Sequence, residues 1–238
     1  MSLRSVDLSP ARIRRLAAAA EVRTLVVIAA IAAGVWALLS LGGEVREGET
    51  GGWDRAVIQA LRAPGHPHLP IGPRWLQDVM RDITALGGTT WTILATLLVF
   101  AALTFHGLWR RGVMLLAVVG LAQLADELLK GAYGRVRPDF APPGTFVYAQ
   151  SFPSGHSTSS AALWMSLAMI AASFERREEA KIFWFVVAGV IVVAVGFSRV
   201  FLGVHWPTDV LAGWTLGTCW ALAGWLVWRL LAPRRAGL

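Results

Sequence analysis

The sequence predicts an all-α, polytopic membrane protein with six transmembrane helices, and three observations carry that prediction. The first is composition: of 238 residues, 55% are hydrophobic and 16% charged, where a soluble domain carries about 25% charged residues. The second is the gathering of apolar residues into six runs, at 24–43, 83–109, 112–125, 163–174, 182–198 and 210–228. Crossing the hydrocarbon core takes about 20 mostly apolar residues, with a range of about 17–25. The third run reaches that length by taking in Asp126 to Leu129, and the fourth by extending back to Phe152 across His156. The third observation is charge placement. With the N-terminus in the cytoplasm, 13 of the 22 Lys and Arg residues fall in the inner segments. This positive-inside bias orients both termini to the cytoplasm.

Taken in order, residues 1–23 read as a basic cytoplasmic segment ahead of the first span. Basic residues before an apolar run also suggest a signal peptide, but a run of about 20 residues exceeds the 7–15 of a signal h-region. A retained first helix, ending at Gly42-Gly43, is therefore expected. The outer, periplasmic segment 44–82 is too long for a bare turn. Within it, Trp75, Leu76, Val79, Met80 and Ile83 recur at helical spacing, with Gln77, Asp78, Arg81 and Asp82 opposite. That pattern predicts a helix lying at the membrane surface or packed on the outer ends of the spans. Arg110-Arg111 marks a tight inner turn between spans two and three, and span three emerges at Lys130. Pro138, Pro142, Pro143 and Gly144 make the loop from Arg137 to Pro153 stiff rather than helical. Span four opens near Ser154 and ends at the charged inner loop 175–179. Span five closes at Ser198-Arg199, a short outer loop carries His205, and Pro207 sits where span six begins. Trp36, Trp53, Trp75, Trp91 and Trp206 fall near the outer boundary, and Trp109, Trp184 and Trp228 near the inner one, as interfacial belts require. The whole chain, 1–238, reads as one domain.

A net charge of +7 is compatible with a nucleic-acid surface, but the basic residues are dispersed in short segments between apolar runs, so the expected partner is the bilayer and not nucleic acid. The single cysteine, Cys219, cannot form an internal disulfide. His66 and His68 form an H-x-H pair without a third ligand pattern, so no metal site is expected there. His106 reads as structural.

Three polar stretches remain, and the predicted topology puts all of them on the outer face: Lys130 with Arg137-Pro138, then Pro153-Ser154-Gly155-His156, then Ser198-Arg199 with His205 and Asp209. Ser154, Gly155 and His156 open a helix, where unpaired N–H groups and the positive dipole end favour an anion. Gly155 allows close backbone approach. Lys130, Arg137 and Arg199 are cations near membrane depth, where an uncompensated one costs roughly 2.5–3.5 kcal/mol at the helix centre and less near the interface. A doubly charged phosphate offsets that cost. Arg135 is expected instead to reach lipid headgroups, and Asp126 and Glu127 to pair structurally with Lys130 through i,i+4 and i,i+3 spacing. His205 and Asp209 lie four apart across a helix start. A carboxylate on one imidazole nitrogen fixes the tautomer and leaves the other nitrogen free to attack, while His156 remains to protonate a departing oxygen.

These residues, Lys130-x6-Arg137-Pro138, Pro153-Ser154-Gly155-His156 and Ser198-Arg199-x5-His205-x3-Asp209, resemble the three-part signature of the type 2 phosphatidic acid phosphatase superfamily, with no position missing. The motifs occupy 130–209, and the predicted helical layout covers nearly all of the chain. The resemblance implies a metal-independent lipid phosphatase of the bacterial cytoplasmic membrane, without cofactor, acting at the outer face. His205 would become a phosphohistidine, Asp209 would orient it, and His156 would act as general acid and then base. Lys130, Arg137, Ser154, Gly155 and Arg199 would bind phosphoryl oxygens. Undecaprenyl diphosphate, phosphatidylglycerophosphate and phosphatidic acid are the candidate substrates. Two other classes fall within the resemblance. Vanadate-dependent haloperoxidases are soluble, against the apolar runs here, and a non-catalytic lipid-binding protein would not need the His205–Asp209 pair.

Overall fold

The computed structural model describes residues 10–141 and 150–231, with side chains from residue 21 onward. Eight helices and a small hairpin follow one another among these residues: α1 (Pro10–Glu47), α2 (Gly51–Ala60), β1 (Arg62–Ala63), β2 (His66–Pro70), α3 (Arg74–Ala85), α4 (Thr89–Phe105), α5 (Trp109–Tyr133), α6 (Gly155–Ala172), α7 (Glu178–Phe201) and α8 (Pro207–Leu231). The six predicted runs lie mainly on α1 and α4 to α8, the second of them beginning in α3.

By length and composition, four helical stretches among the described residues suffice to cross a membrane: Glu21–Glu47, Trp109–Tyr133, Glu178–Phe201 and Pro207–Leu231. A fifth is added if α3 and α4, bent by 45° at their junction, count as one span. Leu25, Val26 and Leu39 of α1, Leu94, Leu97 and Leu98 of α4, and Val186, Val190 and Val193 of α7 are all exposed. In water such contiguous apolar surface would drive association; in lipid it needs no protein partner. The molecule is a helical, multi-pass membrane protein.

Helix α6 sits at the centre, packed on α4, α5, α7 and α8. Its sequence explains why: Ser157, Thr158, Ser159, Ser160, Ala161, Ala162 and Leu163 are all buried, and small residues let neighbouring backbones approach where no hydrophobic effect drives helices together. The approach is closest at α8. A Cβ on Gly213 would lie 2.6 Å from the Ser154 carbonyl oxygen, and one on Gly217 would lie 2.7 Å from Ala161 Cβ. Two of the α6 hydroxyls illustrate how the buried polar groups near its start are satisfied. Ser160 Oγ donates to the Ser157 carbonyl at 3.1 Å, and Ser159 Oγ accepts from Gln123 Nε2 at 2.8 Å.

Several boundaries differ from those expected. Helix α1 runs through Gly42-Gly43 to Glu47. The run 83–109 is not one helix, because Leu86, Gly87 and Gly88 separate α3 from α4. Arg110-Arg111 lies in the first turn of α5, and the chain reverses one step earlier at Gly107, where φ is +71°. Glu178 and Glu179 form the first turn of α7, where their charge complements the helix dipole. Helix α3 places Leu76 and Met80 against Phe201, Leu202 and Val204 at the end of α7, leaving Trp75 and Val79 exposed. The hairpin was not expected. Pro64-Gly65 turns it, with Gly65 at φ +76°, and the two histidines of Pro-Gly-His-Pro-His lie exposed on β2. Pro142, Pro143 and Gly144 lie outside the described residues.

Candidate active site

Each polar stretch is delivered by a helix end, and the ends meet at one side of the bundle. Lys130 belongs to the last turn of α5, one helical turn beyond Asp126 and Glu127. The expected pairing is present: Lys130 Nζ contacts Asp126 Oδ2 and lies 2.9 Å from Glu127 Oε1. Asp126 Oδ1 also accepts from Thr158 Oγ1 at 2.9 Å, which ties α5 to α6. Gly155 has a stricter role than backbone approach to a ligand. A Cβ there would stand 3.0 Å from Lys130 Nζ and 3.1 Å from Asp126 Oδ2, so a side chain would displace the ammonium.

Ser154 caps α6 and is fully buried; its amide donates to the Asp209 carbonyl at 2.9 Å, and its Oγ accepts from Ser157 Oγ at 3.1 Å. His156, one residue into the helix, is half-buried beside Gly88, within the fields of Arg199, His205, Arg137 and Lys130.

Pro207 opens α8 with its fixed φ, which sets His205 and Asp209 on either side of the helix start. His205 is buried. Its Nδ1 lies 2.9 Å from the Ser151 carbonyl oxygen and 3.4 Å from Asp209 Oδ2. The expected carboxylate partner is therefore in contact, but the shorter bond goes to Ser151, a residue the sequence did not single out. Nε2 lies 2.9 Å from Arg137 Nη1. A carbonyl can only accept and a guanidinium can only donate. Together they assign the tautomer: Nδ1 carries the proton and Nε2 presents its lone pair. Burial first, then the charges of Arg199, Arg137 and Lys130, hold the His205 pKa well below the usual imidazole value. Asp209 acts mainly on the loop around this histidine. Its Oδ2 accepts from Ser151 Oγ and from the Trp206 amide at 2.8 Å, and its Oδ1 accepts from Arg135 Nη1 at 2.6 Å.

Arg137 Nη1 also donates to the Val204 carbonyl at 2.8 Å, and burial lowers the Arg137 pKa. Arg199, buried in the last turn of α7, donates to Thr84 Oγ1 at 3.1 Å, while its Nε is buried without a hydrogen-bond partner. Such an orphaned donor is costly unless a ligand accepts from it. All eight predicted residues thus converge. Lys130 with Gly155, Ser154 with Asp209, and His205 with Asp209 and Arg137 form one chain of contacts, flanked by Arg199 and His156.

Arg135 corrects the sequence reading. It does not reach for headgroups; its fork bridges two fully buried carboxylates, Nη2 to Asp54 Oδ2 and Nη1 to Asp209 Oδ1, each at 2.6 Å. Thr208 joins the same network, its amide and hydroxyl donating to Asp54 at 3.0 and 2.7 Å. Asp54 comes from α2, in the segment between α1 and α3, and no local pattern around it marks it for this site. Arg62, also from that segment, donates to the Phe201 carbonyl at 2.8 Å and so closes the end of α7; burial lowers its pKa to about 10.

The geometry offers a neutral imidazole with an outward lone pair, surrounded by three cations and a helix N-terminus. Cations and helix N–H groups arranged in this way suit an anion. A family model described as PAP2 superfamily matches residues 111–232. Phosphatidylglycerophosphatase B of Bacillus subtilis is 39% identical over 165 residues, covering 68% of this chain and 80% of that protein. A lipid A 1-phosphatase of Rhizobium johnstonii is 29% identical over 181 residues, covering 64% and 70%. The crystal structure of a transmembrane PAP2-type phosphatidylglycerolphosphate phosphatase from Bacillus subtilis superposes with a TM-score of 0.77 at 31% identity, covering 86% of this chain and 98% of that one.

Proposed function

The chain belongs to the PAP2 superfamily and is a phosphatase acting on lipid phosphates; we propose that it does so through a phosphohistidine on His205. The observation that carries this is the tautomer of His205, with Nδ1–H held by Ser151 and the Nε2 lone pair facing Arg137. An arriving phosphate takes over the Arg137 guanidinium, which exposes that lone pair to phosphorus. Nε2 then forms the N–P bond as the bond from phosphorus to the lipid oxygen breaks, and His156 gives its proton to the departing oxygen. In the second half, His156 takes a proton from water, the water oxygen bonds to phosphorus, and the N–P bond breaks to release inorganic phosphate. Lys130, Arg137 and Arg199, with Ser154 and the Gly155 amide, stabilise charge on the phosphoryl oxygens. Fixed donors aimed at developing charge usually supply more of the rate enhancement in phosphoryl transfer than any other device.

The reading extends to topology. The protein spans the cytoplasmic membrane six times, with α4 and α6 as the shorter spans, both termini inside and the site at the periplasmic face; the distribution of Lys and Arg supports this. Helix α3 lies at the outer surface, with Trp75 turned to the headgroups. The substrate keeps its tail in lipid while its phosphate enters the site. Undecaprenyl diphosphate, phosphatidylglycerophosphate and phosphatidic acid all have that form.

His205→Ala is expected to abolish phosphate release from every member of such a panel while leaving the protein folded in detergent. His156→Ala is expected to retain a trace of turnover, lower by about 10²–10⁴-fold, the usual contribution of a general acid. Turnover by His205→Ala at the wild-type rate would overturn the nucleophile assignment.

A further inference from the structure

At the opposite end of the bundle, α5, α6 and α8 diverge around a cavity of about 390 Å³. Its walls are apolar, formed by Met114, Leu115, Val118, Met169, Ile170 and Ala221. Its mouth carries Arg111 and Arg229 with Trp225 and Trp228, and none of the residues lining it is acidic. Arg111 and Lys130 are 19 residues apart on α5, so the mouth stands about 28 Å from the phosphate site along the helix axis. That is close to the full hydrocarbon thickness, about 30 Å. The cavity is therefore separate from the candidate active site and opens near the other membrane surface.

We propose that this cavity binds an anionic phospholipid of the leaflet opposite the active site, with one acyl chain between α5, α6 and α8 and its phosphate at Arg111 and Arg229. Charge complementarity selects the occupant. Two guanidiniums at a mouth where none of the described lining residues is acidic favour an anion, and arginine pairs with phosphate through parallel hydrogen bonds. The apolar depth favours a chain attached to that anion over free phosphate. The guanidiniums are also positioned in advance. Arg111 lies over Phe174 and Trp228, at 4.7 and 5.5 Å from the ring centroids, and donates to Ser173 Oγ at 2.9 Å; Arg229 lies over Trp225 at 5.3 Å. Two tryptophans at this level match the interfacial position such rings favour. Met114 and Met169 supply flexible walls suited to a chain of variable conformation. The volume falls within the range of about 300–1,000 Å³ typical of ligand pockets.

Ser166 offers a way to close the cavity. Its Oγ is buried without a hydrogen-bond partner and its side chain lines the apolar depth, so Ser166→Leu removes an unpaired polar atom and fills the space. The test uses the full chain in phosphatidylcholine vesicles doped with phosphatidylglycerol that carries a diazirine at the end of one acyl chain. After irradiation, labelled peptides are mapped by mass spectrometry. Labels are expected on 114–118, 166–170 and 221–225. Ser166→Leu and the double variant Arg111→Gln/Arg229→Gln should each lower them about tenfold, equivalent to about 1.4 kcal/mol of affinity. Both variants lie away from the phosphate site and should hydrolyse lipid phosphate at the wild-type rate, which certifies their fold. Labelling confined to the lipid-facing Val113 and Leu230, or unchanged by Ser166→Leu, would overturn the site. Equal labelling by a phosphatidylcholine probe, or no loss in the arginine double variant, would overturn the selection for anionic lipid.

Discussion

At His205 two neighbours of opposite hydrogen-bonding character decide the state of one ring. The Ser151 carbonyl takes the Nδ1 proton and the Arg137 guanidinium faces Nε2. Burial and three nearby cations keep that ring neutral, and this has a consequence for stability. The folded pKa lies well below an unfolded value of about 6.5, so between the two the unfolded chain binds more protons. The stability associated with a neutral His205 is fully present above about pH 6.5 and is lost as pH falls below it, at up to about 1.4 kcal/mol per pH unit. The unfolding temperature in detergent should fall between pH 7 and pH 5, and His205→Gln should flatten that fall; parallel curves would exclude His205 as the cause. Arg135 makes a second residue-scale prediction. Removing it leaves Asp54 and Asp209 buried without their shared cation, and breaking a buried pair in this way costs about 3–5 kcal/mol. Arg135→Ala should therefore lower the unfolding temperature markedly and reduce activity, because Asp209 also holds Ser151 and the Trp206 amide.

Between elements, the contact that sets the site is α6 on α8. Gly213 and Gly217 let α8 lie against the Ser154 carbonyl and Ala161, which brings the α6 N-terminus to Asp209 and His205. Gly217→Leu would insert a side chain where there is room only for hydrogen, and overpacking of that kind costs roughly 1–3 kcal/mol. The expected result is a lower unfolding temperature with a fall in kcat, since the Ser154 amide bond to the Asp209 carbonyl spans the same interface. Gly120, also on a helix but with open space where a Cβ would stand, serves as control, and Gly120→Leu should leave both measurements close to wild type. The segment from α2 to α3 shows the same principle by another route. Helix α2 brings Asp54, β1 brings Arg62, and α3 brings Leu76 and Met80, so that this stretch braces the end of α7 and the start of α8.

Taken whole, the molecule has two ends about one membrane thickness apart: a polar one where helix termini converge, and an apolar one where three helices part. The polar end concentrates Lys130, Arg137 and Arg199 around His205 and His156, and these fixed cations carry the charge of the reacting phosphate in the proposed mechanism. Turnover should accordingly survive prolonged treatment with excess EDTA. Loss of phosphate release that a divalent cation then restores would contradict the proposal.

The sequence by itself determined the helical membrane class, the order of the apolar runs and the eight residues of the candidate site, because each is written locally. Hydrophobic run length reports a span, and His205, Asp209 and Pro207 report a helix start within five residues. It also held the Lys130 pairing with Asp126 and Glu127, which helical spacing alone dictates. Only the tertiary structure decided what Arg135 does, since its partners Asp54 and Asp209 lie 81 and 74 residues away and neither separation follows any local period. The same holds for Ser151, whose part is played by a backbone carbonyl that every residue type possesses. The break between α3 and α4 and the cavity between α5, α6 and α8 belong to the tertiary structure too. Hydropathy measures how well a segment dissolves in lipid, and bends and gaps arise from how segments fit against one another.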